Sequence, residues 1–144
     1  MLDLFPALPD HHAHRNHPVW KKISPLFVPA EFRDPNAMSA SFLERLHRAR
    51  IIAGIPFPII SSARTPATNT AAGGATRSAH MERPCRAVDI AARTPIASYR
   101  ILRACIAADF QRVGVYGPRN SAATVIHVDD SPTLPRPRVW TAPR

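Results

Sequence analysis

Ser78-Ala79-His80-Met81-Glu82-Arg83-Pro84-Cys85-Arg86-Ala87-Val88-Asp89 is followed by Val125-Ile126-His127-Val128-Asp129, whose His127 lies 38 residues beyond Asp89. Arg86 to Ala91 is an apolar run of strand length, and Ala123 to Val128 is another. If these strands are neighbours, Asp89 and His127 face each other across a small sheet, and His80 on the preceding loop closes a triangle. Two imidazoles and a carboxylate that leave a fourth position open form a common catalytic zinc arrangement, and strands hold such ligands more rigidly than loops do. Spacing alone leaves the alternative of two unrelated histidines and a turn aspartate.

Outward from this stretch, the pattern predicts a helix over Ser39 to Ala53. Either Ser41 with Glu44 as a capping box or Ser39 as N-cap starts it, Phe42, Leu46, Ala49 and Ala53 share a face, and Gly54 ends it. A strand is expected from Phe57 to Ala63, with Arg64 at its end. Arg64 to Ala79, with Gly73-Gly74 and no apolar period, reads as a loop. Thr94 and Pro95 open a second helix to about Asp109 with Ile96, Tyr99, Leu102, Cys105 and Ile106 inward. Strands at Arg112 to Tyr116 and Ala123 to Val128 follow, joined by a Gly117-Pro118 turn. This order predicts an α+β domain, a small mostly antiparallel sheet with helices on one face. The proline-rich end, Ser131 to Trp140, is expected to wrap the sheet and bury Trp140, with a polyproline ligand as the alternative.

Residues 1–22 hold three of the sixteen prolines and His11, His12, His14 and His17. They read as an extension with weak structure of its own, and 23–144 as the domain proper. No cysteine or paired carboxylate stands near those histidines, so a solvated or docking tail is expected rather than a metal cluster. At 144 residues the chain is one domain by length.

The formal charge of +9 arises from 19 Lys and Arg against 10 Asp and Glu, which points to an anionic partner. The arginines are scattered, with no basic helical stripe and no interleaved aromatics for base stacking, so nucleic acid is not the expected partner. An anionic cell-wall polymer fits the charge. Cys85 and Cys105 lack CxxC spacing and read as free thiols. The chain has no apolar run long enough to span a membrane, and its start lacks the basic and apolar regions of a signal peptide. No membrane insertion is expected, and the protein is expected to be made in the cytoplasm without a cleaved leader.

Three motifs in order resemble the zinc peptidoglycan peptidases of the group that unites lysostaphin, D-Ala-D-Ala metallopeptidases and the hedgehog signalling domain. They are Ile60-Ser61-Ser62-Ala63-Arg64-Thr65-Pro66 with Asn69, Ser78-Ala79-His80 through Ala87-Val88-Asp89-Ile90, and Gly114-Val115-Tyr116 leading to Ile126-His127-Val128-Asp129. The branch most similar is that of short D-Ala-D-Ala carboxypeptidases and L-alanyl-D-glutamate endopeptidases, many of them phage endolysins or virion wall peptidases. The resemblance implies zinc as cofactor, His80, Asp89 and His127 as its ligands, and peptidoglycan stem peptides as substrate. It implies that Arg64 grips a substrate carboxylate or orients the polarised carbonyl, which suits a guanidinium fork. Ser78 either hydrogen-bonds substrate or fixes the His80 loop. Delivery would follow lysis or occur in a phage particle, with residues 1–22 as a docking segment for virion proteins.

The chain departs from the family pattern in two places. Eight residues separate His80 from Asp89, two more than the pattern, so Arg83-Pro84 is expected to bulge outward, and Cys85 stands where a glycine would align. Thr124 occupies the position where many members place a carboxylate as general base. Asp129 is the first candidate for that role, with Asp130 and Glu82 as alternatives. A domain of this fold that has lost catalysis and serves as a wall-binding or virion component is the competing expectation.

Overall fold

The computed structural model of the chain describes residues 11–117 and 123–142. Helices begin where a short polar side chain accepts an otherwise unpaired amide. His17 does this for Val19 at the head of α1 (Pro18–Ile23), Ser39 for Phe42 at α2 (Ala40–Ala53), Thr65 for Thr68 at α3 (Pro66–Ala71) and Thr94 for Ala97 at α4 (Pro95–Ala107). Of the two start signals for α2, Ser39 is the N-cap, and Gly54 closes the helix in the left-handed region at φ 69°.

Among the described residues five strands form one sheet: β1 (Ile59–Ser61), β2 (Ala87–Ala92), β3 (Arg112–Tyr116), β4 (Thr124–Asp129) and β5 (Arg138–Ala142). Their order is β1-β2-β4-β3-β5, antiparallel except for the β3–β5 pair. The α+β class with a mostly antiparallel sheet is as the pattern predicts. Alternation along the strands splits the sheet by chemistry. Val88, Ile90, Val113, Ile126 and Val128 join Ile101, Ala104 and Cys105 of α4 and Phe42, Leu43 and Leu46 of α2 in one buried apolar cluster. Burying each large apolar side chain contributes about 1.5–3 kcal/mol. Phe42, Leu43 and Leu46 therefore hold α2 more firmly than helix propensity does, which differs by under about 1 kcal/mol per residue.

Four expectations change. Residues 11–22 are not weakly structured: Ala13, Val19 and Trp20 are buried, Trp20 Nε1 donates to the Ala13 carbonyl, and Lys22 pairs with Glu44 of α2. A helix of six residues is too short to show a period, so only Pro18 signalled it. Likewise α3 lies within the expected loop, because its one buried residue is the polar Asn69. In α4 the inward face is Ile101, Ala104, Cys105 and Ala108, while Ile96, Tyr99 and Ile106 are exposed; small side chains let that face approach the sheet closely. Residues 138–142 add a strand parallel to β3 instead of wrapping the sheet, and Trp140 is half-buried.

Pro118 of the expected turn lies outside the described residues. Cys85 and Cys105 are free and buried. Among the described residues no helix is long and apolar enough to cross a membrane.

Candidate metal centre

One register row crosses the face of the sheet that α4 does not cover. Asp89 in β2 stands opposite His127 in β4, His127 opposite Gly114 in β3, and Gly114 opposite Trp140 in β5. His80 comes to this row from the short 3-10 turn Ala79–Met81, where the backbone amide of His80 donates to Ser78 Oγ at 3.2 Å. Of the two roles open to Ser78, fixing the His80 turn is therefore the one its contacts display.

The three residues are buried, and each offers a ligand atom within 4.8 Å of the others. His80 Nδ1 lies 2.6 Å from the Ser62 carbonyl, which makes that nitrogen the donor and leaves the Nε2 lone pair facing inward. His80 Nε2 is 3.3 Å from His127 Nδ1 and 3.4 Å from Asp89 Oδ1, and His127 Nδ1 is 2.9 Å from the same oxygen. Two imidazole nitrogens and one carboxylate oxygen converging on one point, with each imidazole oriented through its other nitrogen, fit zinc with a position left for solvent or substrate.

His127 Nε2 is directed away from that point, to Asp129 Oδ2 at 2.6 Å. Asp129 is fully buried, and its Oδ1 accepts from Arg112 Nε at 2.8 Å and from the Ser131 amide at 2.9 Å. It shares the face of His127 as alternation requires, but its carboxylate braces the far side of the ring. The geometry thus favours a bracing role over the general-base role expected from sequence.

Arg64 is likewise turned inward: Nη2 donates to Asp89 Oδ2 at 3.0 Å, Nε to Ser61 Oγ at 3.0 Å, and Nη1 to Asn69 Oδ1 at 3.3 Å. The guanidinium fork is engaged by Asp89, one of the three residues that could hold a metal, where a substrate carboxylate was expected.

The other base candidates lie elsewhere. Glu82 Oε1 accepts from Ser131 Oγ at 2.6 Å and Thr133 Oγ1 at 3.0 Å, tying the His80 turn to the segment after β4. Asp130 pairs with Arg45 Nε at 3.2 Å in a separate cavity of about 350 Å³. Thr124 is at the opposite end of β4 from Asp129. Arg83, of the extra pair, is exposed as expected, yet its guanidinium folds back onto the carbonyls of His80, Glu82 and Arg64. Cys85 fills its glycine-like position as a buried thiol whose Sγ donates to the His80 carbonyl, and burial pushes its pKa up to about 11.

Electrostatics follow these contacts. Burial disfavours the charge on Asp89, but the hydrogen bond from His127 and the positive charge of that ring outweigh it and hold the carboxyl well below the usual range. Burial also acts against the His127 cation, yet hydrogen bonds to Asp129 and Asp89 raise its pKa to about 9. Asp129 is lowered, because the His127 hydrogen bond and charge exceed its own burial.

The centre lies in a cavity of about 640 Å³ lined also by Gly74, Arg77, Tyr116, Leu134, Arg138 and Trp140. Arg112 and Trp140 were not identified as site residues from sequence. Trp140 sits with its ring centre 5.4 Å from that of His127, Arg112 stacks on the indole at 5.1 Å, and Trp140 Nε1 donates to the Tyr116 hydroxyl at 2.9 Å. Gly114 makes this possible, since a Cβ there would lie 2.6 Å from the indole. The available signal was the alternation of Arg112, Gly114 and Tyr116, which places all three on the face of His127 once β3 is paired with β4.

A protein family described as Peptidase M15 matches residues 27–129, a span that contains His80, Asp89, His127 and Asp129. A search of curated proteins finds no match.

Proposed function

The chain belongs to the peptidase M15 family, and from that premise we propose that it is a zinc-dependent peptidase of bacterial peptidoglycan stem peptides, of the D-Ala-D-Ala carboxypeptidase or L-Ala-D-Glu endopeptidase type. The observation that carries the reading is the buried convergence of His80, Asp89 and His127 within 4.8 Å, at the base of a cavity of a size suited to a short peptide. When bound, zinc supplies a Lewis acid that polarises a carbonyl and makes water more acidic.

The chain's own residues do the rest. His80 and His127 present single lone pairs because Ser62 and Asp129 occupy their other nitrogens. Asp89 contributes Oδ1, while Arg64 fixes its Oδ2. Trp140 and Leu134 shield the cavity and reduce the effective dielectric around reacting charges. The charge of +9 favours retention on anionic wall polymers, an attraction that salt screens over about 8 Å at physiological strength.

A second reading, a wall-binding domain without turnover, is favoured by one observation. Among the described residues, the carboxylates lining the cavity are Asp89 and Asp129, and both are engaged by cations. Purified peptidoglycan incubated with the zinc-loaded protein, followed by mass analysis of the soluble products, separates the readings. Shortened stem peptides that disappear with His127→Ala support the peptidase. Retention on the wall with no released peptide supports the second reading.

A further inference from the structure

Among the described residues four guanidinium groups line the cavity, and they fall into two pairs. Arg64 is held by Asp89, Ser61 and Asn69, and Arg112 by Asp129, the Pro135 carbonyl and the face of Trp140. Arg77 and Arg138 are different. Both are exposed, and among the described residues neither guanidinium has a hydrogen bond, ion pair or ring contact.

Arg138 is well placed by the sheet. It stands opposite Arg112 in the parallel β3–β5 register and two residues before Trp140, so it shares the face of His127 one row away from the metal ligands. Arg77 belongs to the loop wall, immediately before the Ser78 that caps the His80 turn. That wall is anchored from within by Asn69, which donates to the Ala75 carbonyl and packs so tightly on Gly74 that a Cβ there would lie 2.0 Å from its Oδ1. Both carboxylates that line the cavity among the described residues are paired with Arg64, Arg112 and His127, and among these residues nothing compensates the positive charge of Arg77 and Arg138 at the mouth.

We propose that Arg77 and Arg138 form a recognition site for a carboxylate on the substrate, so that the protein selects peptides carrying a free carboxylate near the bond it acts on. The inference rests on the peptidase reading and deepens it. Arg64 was expected to grip that carboxylate, but its fork is committed to Asp89, and the requirement passes to the two arginines with free forks. A guanidinium binds a carboxylate through two parallel hydrogen bonds, and Tyr116 with Trp140 supplies an apolar wall along which the peptide body can lie. Two guanidinium–carboxylate pairs acting together inside a partly desolvated cavity give selectivity of about tenfold.

The test titrates the zinc-loaded full chain, by calorimetry, with a stem pentapeptide bearing free carboxylates and with the same peptide amidated at each of them; hydrolysis of the acid peptide is followed separately. The acid form is expected to bind about tenfold more tightly, and the double variant R77Q/R138Q to bind both forms alike while keeping its zinc content. Equal wild-type affinities, failure to bind either form, or selectivity that survives in the double variant overturns the proposal. Selective binding without hydrolysis would instead overturn the peptidase reading and leave the carboxylate site standing. Hydrolysis without selectivity would do the reverse. Because the wild-type comparison needs no substitution, a variant that fails to fold does not remove the test.

Discussion

Nε2 of His127 lies 2.6 Å from Oδ2 of Asp129, whose other oxygen is held by Arg112. A carboxylate behind a ligating imidazole fixes its tautomer and raises its basicity, and losing such a partner costs about 10–100-fold in metal affinity. Asp129→Ala is therefore expected to weaken zinc binding by about that factor, measured by competition with a chromogenic chelator. Unchanged affinity accompanied by lost peptide hydrolysis would return Asp129 to the general-base role.

The same ring links metal uptake to pH. In apoprotein prepared with a chelator, burial alone would lower the His127 pKa, but its bonds to Asp129 and Asp89 raise it to about 9. A metal needs the Nδ1 lone pair, so below that pKa a bound proton must leave first. Zinc affinity is expected to fall by up to about tenfold per pH unit below about pH 9 and to level off above it. An affinity that stays flat between about pH 7 and about pH 9 would contradict this.

Arg64 offers a sharper contrast between roles. Its three nitrogens reach Asp89, Asn69 and Ser61 at once, a geometry that one ammonium cannot reproduce. Arg64→Lys is expected to reduce zinc affinity by about tenfold, as for loss of other groups that orient a ligand. A residue serving only the substrate would raise KM and leave zinc affinity untouched. Chelator competition and steady-state kinetics on one preparation tell the two apart.

Much of this site was legible before the structure, because alternation is strict: once β2 and β4 are paired in the register that sets Asp89 opposite His127, the two share a face. The buried face of α2 was equally plain, since large apolar residues mark it. What stayed hidden depended on partners distant in sequence. The inward face of α4 is built partly from Ala104 and Ala108, whose small size carries little periodic signal. The commitment of Arg64 to Asp89 and of Asp129 to His127 needed side-chain directions that spacing does not supply. The strand at 138–142 was obscured by the prolines before it and became legible only through its pairing with β3.

Gly114 sits where an added Cβ would lie 2.6 Å from the Trp140 indole, whereas one at Gly117 meets nothing within 4 Å among the described residues. Gly114→Ala must push the indole off the sheet, breaking its bond to Tyr116. A loss of about 1–3 kcal/mol is expected from overpacking, with a shift in tryptophan emission. Gly117→Ala is expected to stay within about 0.5 kcal/mol. Urea denaturation of both variants checks the pair, and equal stabilities would show that Trp140 is not held by this contact.

Asp130 provides a pH signature of its own. Burial pushes its carboxyl up from 3.8 to about 6, against the pull of Arg45. Because the folded pKa is the higher one, the folded state holds the proton more tightly than the unfolded chain does. Its contribution is fully present below about pH 4 and is lost as pH rises through about 6. The amount is on the order of 3 kcal/mol by linkage. Asp89 and Asp129, both lowered, act with the opposite sign and lose stability as pH falls. The comparison must therefore be between wild type and Asp130→Asn at each pH. Denaturation midpoints are expected to show the variant gaining on wild type as pH rises from about 4 to about 7. A constant difference across that range would mean that Asp130 ionises in the folded protein as readily as in the unfolded chain, with Arg45 offsetting the whole of its burial.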